Sequence, residues 1–282
     1  MLVVQEPTML EGLAQKGFEL KFLSHAAAIL DKDFPVALTE LDQALGALTI
    51  PITEIIALGG GETKGTQRMR HSLSELGWKK FEFVIKKTIN GVEREATSHE
   101  IDHVKAFDGA YVALEIEWNN KDPFFDRDLE NFKRLHAEGA ISVGVIVTRG
   151  TSLHQNVWNF VSRFALENKI NSFEDLQRLN IDLTRRKRAA IEKRTTRKKN
   201  PIDFPVAWAD NFVADKYGEA TTHWRKLMDR VDRGVGNPCP LLLIGIPESV
   251  VTFAEAATPE AIAAAIDDAV QDIEPVLTNE ED

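Results

Sequence analysis

The chain has 282 residues, 43% of them hydrophobic, and a formal net charge of −10. That is enough apolar sequence for one sizeable core, and the single cysteine, Cys239, excludes an intramolecular disulfide and fits a reducing compartment. No apolar run reaches membrane-span length, and Glu6 and Glu11 argue against a signal peptide, so a cytoplasmic location is expected.

In chain order, Leu13 to Leu30 and Val36 to Leu48 carry apolar residues at helical spacing. The Gly59–Gly61 stretch opens a loop that superficially resembles a phosphate-binding loop. Its Lys64 precedes the last glycine, where a P-loop has Lys after it, so no nucleotide cofactor is expected. A helix over Thr66 to Leu76 follows. Lys79 to Lys87 predicts a strand, and Asn90-Gly91 turns it into a second strand.

Ser98 to Asn120, SHEIDHVKAFDGAYVALEIEWNN, is the most informative stretch. Asp108-Gly109 predicts a two-residue type I′ turn, because that turn needs positive φ at both central positions. The resulting hairpin pairs Phe107 with Ala110 and puts Asp102 opposite Glu115. Strand alternation then sets Glu115 and Glu117 on one face and Val112, Leu114, Ile116 and Trp118 on the other. A Glu-x-Glu row alone is compatible with a plain solvated face. A facing aspartate changes the balance, since close carboxylates raise one another's pKa unless a cation lies between them. Oxygen-only donors suit Mg²⁺, with Mn²⁺ able to substitute, and the pattern points to a divalent-metal site for phosphate chemistry.

His99-Glu100-Ile101-Asp102-His103 also matches the H-E-x-x-H pattern of zinc peptidases. That chemistry requires a helix. On a strand the two histidines share a face but stand roughly 13 Å apart, too far to chelate one ion.

Beyond the hairpin, Phe124 to Glu138 predicts an amphipathic helix with Leu129, Phe132 and Leu135 on its inner face, and Ile141 to Val147 predicts a buried strand of parallel type. Ser152 to Glu167 predicts a helix with the stripe Val157, Phe160, Val161 and Phe164, facing the core or a dimer partner. Arg185 to Lys199 holds nine Lys or Arg against Glu192, a density suited to phosphate contacts and also to a solvated helix face. Thr221 or Thr222 is expected to cap a helix containing His223, Trp224 and Lys226, whose start could contact phosphates or base edges. Leu241 to Ile246 predicts a final buried strand. An Ala-rich helix over Pro259 to Ala269 leads into a tail, and 252–282 carries nine acids and no Lys or Arg. The expected organisation is one α/β domain over 1–251, a central mixed sheet flanked by helices, with a basic arm at about 183–200 and the acidic segment 252–282.

Glu100-Ile-Asp-His-Val-Lys105, Val112-Ala-Leu-Glu-Ile-Glu117, Asn119-Asn120 and Gly139-x-Ile-x-Val-Gly-Val-Ile-Val resemble the PD-(D/E)XK nucleases, and within them the BamHI/BglII branch of type II restriction endonucleases. The closest resemblance covers about residues 66 to 150. It implies Asp102 and Glu115 as metal ligands, Glu117 in place of the usual lysine, and Glu75 as a further acidic residue, with Glu82 and Glu100 as rivals for that role. It further implies a prokaryotic homodimer that cuts palindromic double-stranded DNA with Mg²⁺ and leaves 5′-phosphate ends. Candidate DNA contacts are Asn119, Asn120 and Lys121 after the Glu-x-Glu, Arg194, Arg197, Lys198 and Lys199 in the arm, and Thr222, His223 and Lys226. A repair or structure-specific nuclease of the same fold, or a zinc peptidase through His99 and His103, are the other readings.

Overall fold

The computed structural model describes residues 9–57, 63–253, 258–264 and 277–278. The glycine-rich loop at 59–61 and the acidic tail therefore lie outside the described residues, apart from short pieces. The elements begin with α1 (Glu11–Gln15), β1 (Glu19–Leu23), α2 (Ala26–Asp33), α3 (Pro35–Gly46), β2 (Ile50–Pro51), α4 (Ile52–Ile56) and α5 (Lys64–Glu75). The central section is β3 (Lys79–Ile89), β4 (Val92–Phe107), β5 (Ala110–Glu117), α6 (Phe124–Ala137), β6 (Val143–Arg149) and α7 (Thr151–Glu167). After α8 (Phe173–Arg178), α9 (Arg185–Thr195), α10 (Phe204–Lys216) and α11 (Trp224–Val231) come β7 (Leu241–Ile246), β8 (Val251–Thr252), α12 (Pro259–Ala264) and β9 (Leu277–Thr278).

The main sheet runs β1-β7-β6-β5-β4-β3, with the two-residue β9 added beside β3. It is mixed: β5, β6 and β7 are parallel neighbours, while β1–β7, β3–β4 and β4–β5 pair antiparallel. The parallel strands β6 and β7 are buried along their whole length, as continuous apolar runs in a two-sided sheet should be. Both predicted hairpin turns form. Asn90 and Gly91 have φ of 53° and 78°, and Asp108 and Gly109 have φ of 45° and 85°, the left-handed pairs a type I′ turn demands.

Two apolar layers sandwich the sheet. On one face Val112 and Leu114 of β5, with Trp118 just after it, join α3, α5 and α7 in the larger core. On the other, Ala113 packs with Phe125, Leu129, Phe132 and Leu135 of α6. The α6 helix sits very close: a Cβ on Gly144 of β6 would lie 2.5 Å from the Phe132 ring. Glu115 and Glu117 share the Ala113 face, so α6 lies over the acidic row.

Two expectations are corrected. The helix predicted over Leu13 to Leu30 is broken into α1, β1 and α2. Gly17, at φ +88°, ends the first turn of helix, and the alternating segment behind it pairs with β7 from Glu19↔Gly245 to Leu23↔Leu241. Edge pairing with a buried strand outweighs the weak helical pattern there. The α11 helix is capped at His223, in extended conformation and without a side-chain cap, because Thr221 Oγ1 donates to Gly218 O and accepts from Arg149. Of the helix predicted over Pro259 to Ala269, Pro259–Ala264 forms as α12 and the remainder lies outside the described residues.

Candidate active site

The β4–β5 ladder runs from Phe107↔Ala110 to His103↔Leu114, the register that the turn implies, and ends there, with Asp102 near enough to Glu115 for its charge to raise the Glu115 pKa. There β4 is irregular. Its pairing with β3 jumps from Phe81↔Ile101 to Lys79↔Val104, so Asp102 and His103 together oppose Lys80. This bulge resets the side-chain alternation. His99 lies beside Asn131 and Arg134 of α6, whereas His103 lines a cavity with Thr66 and Arg70. The two histidines thus face different surroundings on a strand, contrary to the shared face expected, and the H-E-x-x-H peptidase geometry does not form.

Asp102 is exposed and lines this cavity of about 640 Å³ together with Trp118, Asn119, Asn120 and Lys121. Beneath it, Glu115 and Glu117 are only 4% and 2% exposed, and Asp128 of α6 is fully buried. Three buried acids in one place need an explanation, since desolvation penalises each charge. Desolvation first, then the fields of Asp102, Asp128 and Glu117, hold the Glu115 carboxyl well above the usual range. Glu117 is pushed up to about 8, again by desolvation and then by Asp128. Burial also raises Asp128, partly offset by Arg127.

Arg127 is the cation in direct contact with this group. Its Nη2 lies 2.8 Å from Asp128 Oδ1 and 3.5 Å from Glu117 Oε1. Asn120 Nδ2 donates to Glu117 Oε2 at 2.8 Å. Lys80 forms an ion pair with Glu100 at 2.6 Å and feels Asp102 and Glu115 more weakly. One guanidinium cannot neutralise three carboxylates, and with Glu117 and Asp128 hydrogen-bonded to each other the cluster keeps protons unless further positive charge is supplied. An oxygen-only donor set with excess negative charge and an open face at Asp102 fits a hard divalent cation.

The loop after β5 is held from below by Arg149, the last residue of β6. Its buried guanidinium donates to Trp118 O (2.7 Å), Thr221 Oγ1 (2.6 Å) and Thr222 O (2.7 Å). Thr222 N donates to Asn120 O and Asp122 N to Ala220 O, while Lys121 bridges Thr221. The segment 220–222 is therefore a splint that fixes Asn119 to Asp122.

The other predicted site residues are placed as follows. Glu75 is exposed in a separate groove with Ala44, Leu48 and Ser72, because it lies on a different face of α5 from Thr66 and Arg70, so it does not join the carboxylates. Glu100 is tied to Lys80, and Glu82 pairs opposite Glu100 on the neighbouring strand. Thr222 and His223 are 0% and 1% exposed, which removes them from direct contact with a large ligand in this conformation. Lys226 is paired with Asp122 at 3.2 Å. In the basic arm, Arg194 is engaged by Asp210 at 2.5 Å and Arg197 donates to Asn200 O, while Lys198 and Lys199 are exposed. The sequence reading missed Arg127, Asp128 and Arg149. Asp128 had a signal: it stands one turn from Phe125 and Phe132, an acid on the inner stripe of α6.

A mixed sheet flanked by helices, with carboxylates gathered on the β4–β5 hairpin inside it, is the α/β fold of the restriction-endonuclease type. A family model described as restriction endonuclease BglII/BglIII matches residues 18–246, from the residue before β1 to the last residue of β7, and the chain belongs to that family. No curated protein matches it. Membership makes it a site-specific deoxyribonuclease, a hydrolase acting on double-stranded DNA. Restriction endonucleases of this kind generally use a divalent metal. No helix among the described residues is long and apolar enough to cross a membrane.

Proposed function

We propose that the chain is a Mg²⁺-dependent type II restriction endonuclease that cleaves palindromic DNA as a homodimer and leaves 5′-phosphate ends. The observation that carries the metal and its position is the cluster of Asp102, Glu115, Glu117 and Asp128, in which one contacting cation meets several desolvated carboxylates. Asp102 and Glu115 are the residues to hold the ion, which when bound supplies positive charge to the scissile phosphate and its leaving oxygen. Every other part of the reaction falls to this chain's side chains.

Glu117 is the group to accept the proton of the attacking water. A carboxylate whose pKa has been raised to about 8 is a stronger base than an ordinary one and is poised near working pH. Its two oxygens are oriented from opposite sides, Oε2 by Asn120 and Oε1 by Arg127. Asp128 acts through both, anchoring Arg127 and repelling the charge on Glu117. Lys121, exposed on the cavity rim, is suited to a phosphate of the backbone. Two copies related by a two-fold axis would give each strand of a palindrome its own cluster.

The test is digestion of a sequenced phage DNA by purified protein, with MgCl₂ and with EDTA, followed by sequencing of the fragment ends. Discrete ends at one palindromic sequence with Mg²⁺, and no cutting with EDTA, support the reading. Unspecific degradation would favour a nuclease of the same fold without fixed sequence.

A further inference from the structure

We propose that His154, Glu219 and His223 form a second metal site, for a zinc-class dication, separate from the carboxylate cluster. Among the described residues, these three offer ligand atoms that all lie within 4.8 Å of one another. His154 comes from the first turn of α7, Glu219 from the residue just before the 220–222 splint and His223 from the cap of α11. The two imidazoles are stacked, with centroids 3.8 Å apart and planes 6° from parallel. Both Nε2 atoms point at the same carboxylate: His154 Nε2 is 3.6 Å from Glu219 Oε1, and His223 Nε2 is 3.8 Å from Glu219 Oε2.

The second observation is His223 itself. It is 1% exposed, and its Nε2 has no hydrogen-bond partner. A buried ring nitrogen left unsatisfied is costly, and an ion between the three side chains would satisfy it. Burial holds both imidazoles below the usual histidine range, His223 at about 4, so both are neutral and able to ligate at physiological pH.

Ligand chemistry selects the ion. Two imidazoles with one carboxylate suit Zn²⁺ or a neighbouring d-block dication, whereas Mg²⁺ takes oxygen. With Zn–N bonds of about 2.0–2.1 Å in a tetrahedron, ligand atoms stand roughly 3.3 Å apart and their lone pairs must converge, so loading would turn the two rings out of their parallel stack. All three side chains line a cavity of about 750 Å³ together with Thr151, Trp158 and Tyr217, which gives an ion an entry path and room for a water ligand.

Two guanidiniums lie nearby and limit affinity. Arg225 is ion-paired to Glu219, and Arg149 Nη1 is 3.4 Å from His154 Nδ1. Arg149 already has Trp118 O, Thr221 Oγ1 and Thr222 O as acceptors, so it does not depend on His154. An ion here would pin α7 to the segment whose Thr222 N–H holds Asn120 O at 2.8 Å. Loading would thus stiffen the support of the β5 loop. The site itself does not depend on the nuclease mechanism.

Metal-depleted full-length protein, held in millimolar excess Mg²⁺ to fill the carboxylate cluster, is titrated with Zn²⁺ against a chromophoric chelator and separately with Co²⁺. Wild type should bind one Zn²⁺ and give a visible Co²⁺ band. Glu219→Gln and His154→Gln, both on accessible side chains, should weaken Zn²⁺ at least tenfold and lose the band while circular dichroism stays native. His223→Ala is a third variant, interpreted only if it folds. No bound Zn²⁺ in wild type, unchanged affinity in the two folded variants, or loss of binding on Glu115→Ala instead, would each overturn the proposal.

Discussion

The Asn120 side-chain amide donates to Glu117 Oε2 at 2.8 Å, so a residue expected to contact DNA is bonded to the second glutamate of the Glu-x-Glu pair. A donor on an ionised carboxylate stabilises the charged form, and here it opposes the strong upward push of desolvation. Asn120→Ala removes that restraint. Its expected effect is a fall in turnover on the order of 10-fold, with the cleaved sequence unchanged, since one charge-assisted hydrogen bond contributes about 1.5–3 kcal/mol. Sequencing the fragment ends made by the variant distinguishes this from a base-reading role, in which ends would appear at related sites.

Glu117 also predicts how stability depends on pH. Its folded pKa, about 8, is above the unfolded value of 4.5. The folded state then holds a proton that the unfolded state has released, and stability falls as pH rises between those values. The metal-free protein should melt progressively lower from pH 5 to pH 8, more steeply than Glu117→Gln, which has no proton to lose. Added Mg²⁺ should reverse the trend, because the ion favours the ionised form. Parallel melting curves for wild type and Glu117→Gln across this range would refute the assignment.

Asp128 anchors Arg127 and sets the charge around Glu117. Asp128→Ala frees Arg127 and removes one repelling carboxylate, so the Glu117 pKa should drop. The acidic limb of the pH–rate profile should move to lower pH while maximal turnover falls, which a purely structural aspartate would not cause. Asp128→Asn should keep the fold and show the same shift to a smaller extent, as read from initial cleavage rates at a series of pH values.

The basic arm is divided by its contacts. Arg194 is spent on Asp210 and Arg197 on Asn200, while Lys198 and Lys199 are exposed. Neutralising the two lysines should make the slope of log K against log salt shallower by up to roughly 0.9 per lost phosphate contact. Cognate and non-cognate DNA should weaken alike, because phosphate contacts carry no sequence information. Filter binding over a salt series measures both, and an unaltered slope would place the arm away from the backbone.

The parts of this fold that could be read from the sequence are the local ones. Asn90-Gly91 and Asp108-Gly109 dictate their turns by backbone sterics, the second turn fixes the β4–β5 register, and the register brings Asp102 to Glu115. Helix α6 was legible from Leu129, Phe132 and Leu135. What could not be read depends on packing between elements. Asp128 meets Glu117 only because α6 docks over the acidic face of β5, with Gly144 clearing space for Phe132. The bulge at Asp102 and His103 has no turn residue to announce it. The β1 strand was hidden because apolar residues of Leu13 to Leu30 fit a helical stripe nearly as well, and its pairing partner β7 lies more than 200 positions away. The stacking of His154 on His223 is likewise a contact between remote segments.

The central claim is that the carboxylates around Glu115 are the cleavage machinery, and Glu115→Ala tests it most directly. Glu115 is buried with its carboxyl pKa raised by desolvation, so alanine should leave the metal-free fold intact or more stable, as a melting curve would show. Cleavage of cognate DNA in MgCl₂ should fall on the order of 10³-fold or more, the scale of losing a preorganised charge-stabilising group. Binding of that DNA, followed in Ca²⁺ by gel shift, should persist or tighten. Near-normal digestion by folded Glu115→Ala protein, free of wild-type enzyme, would contradict the account.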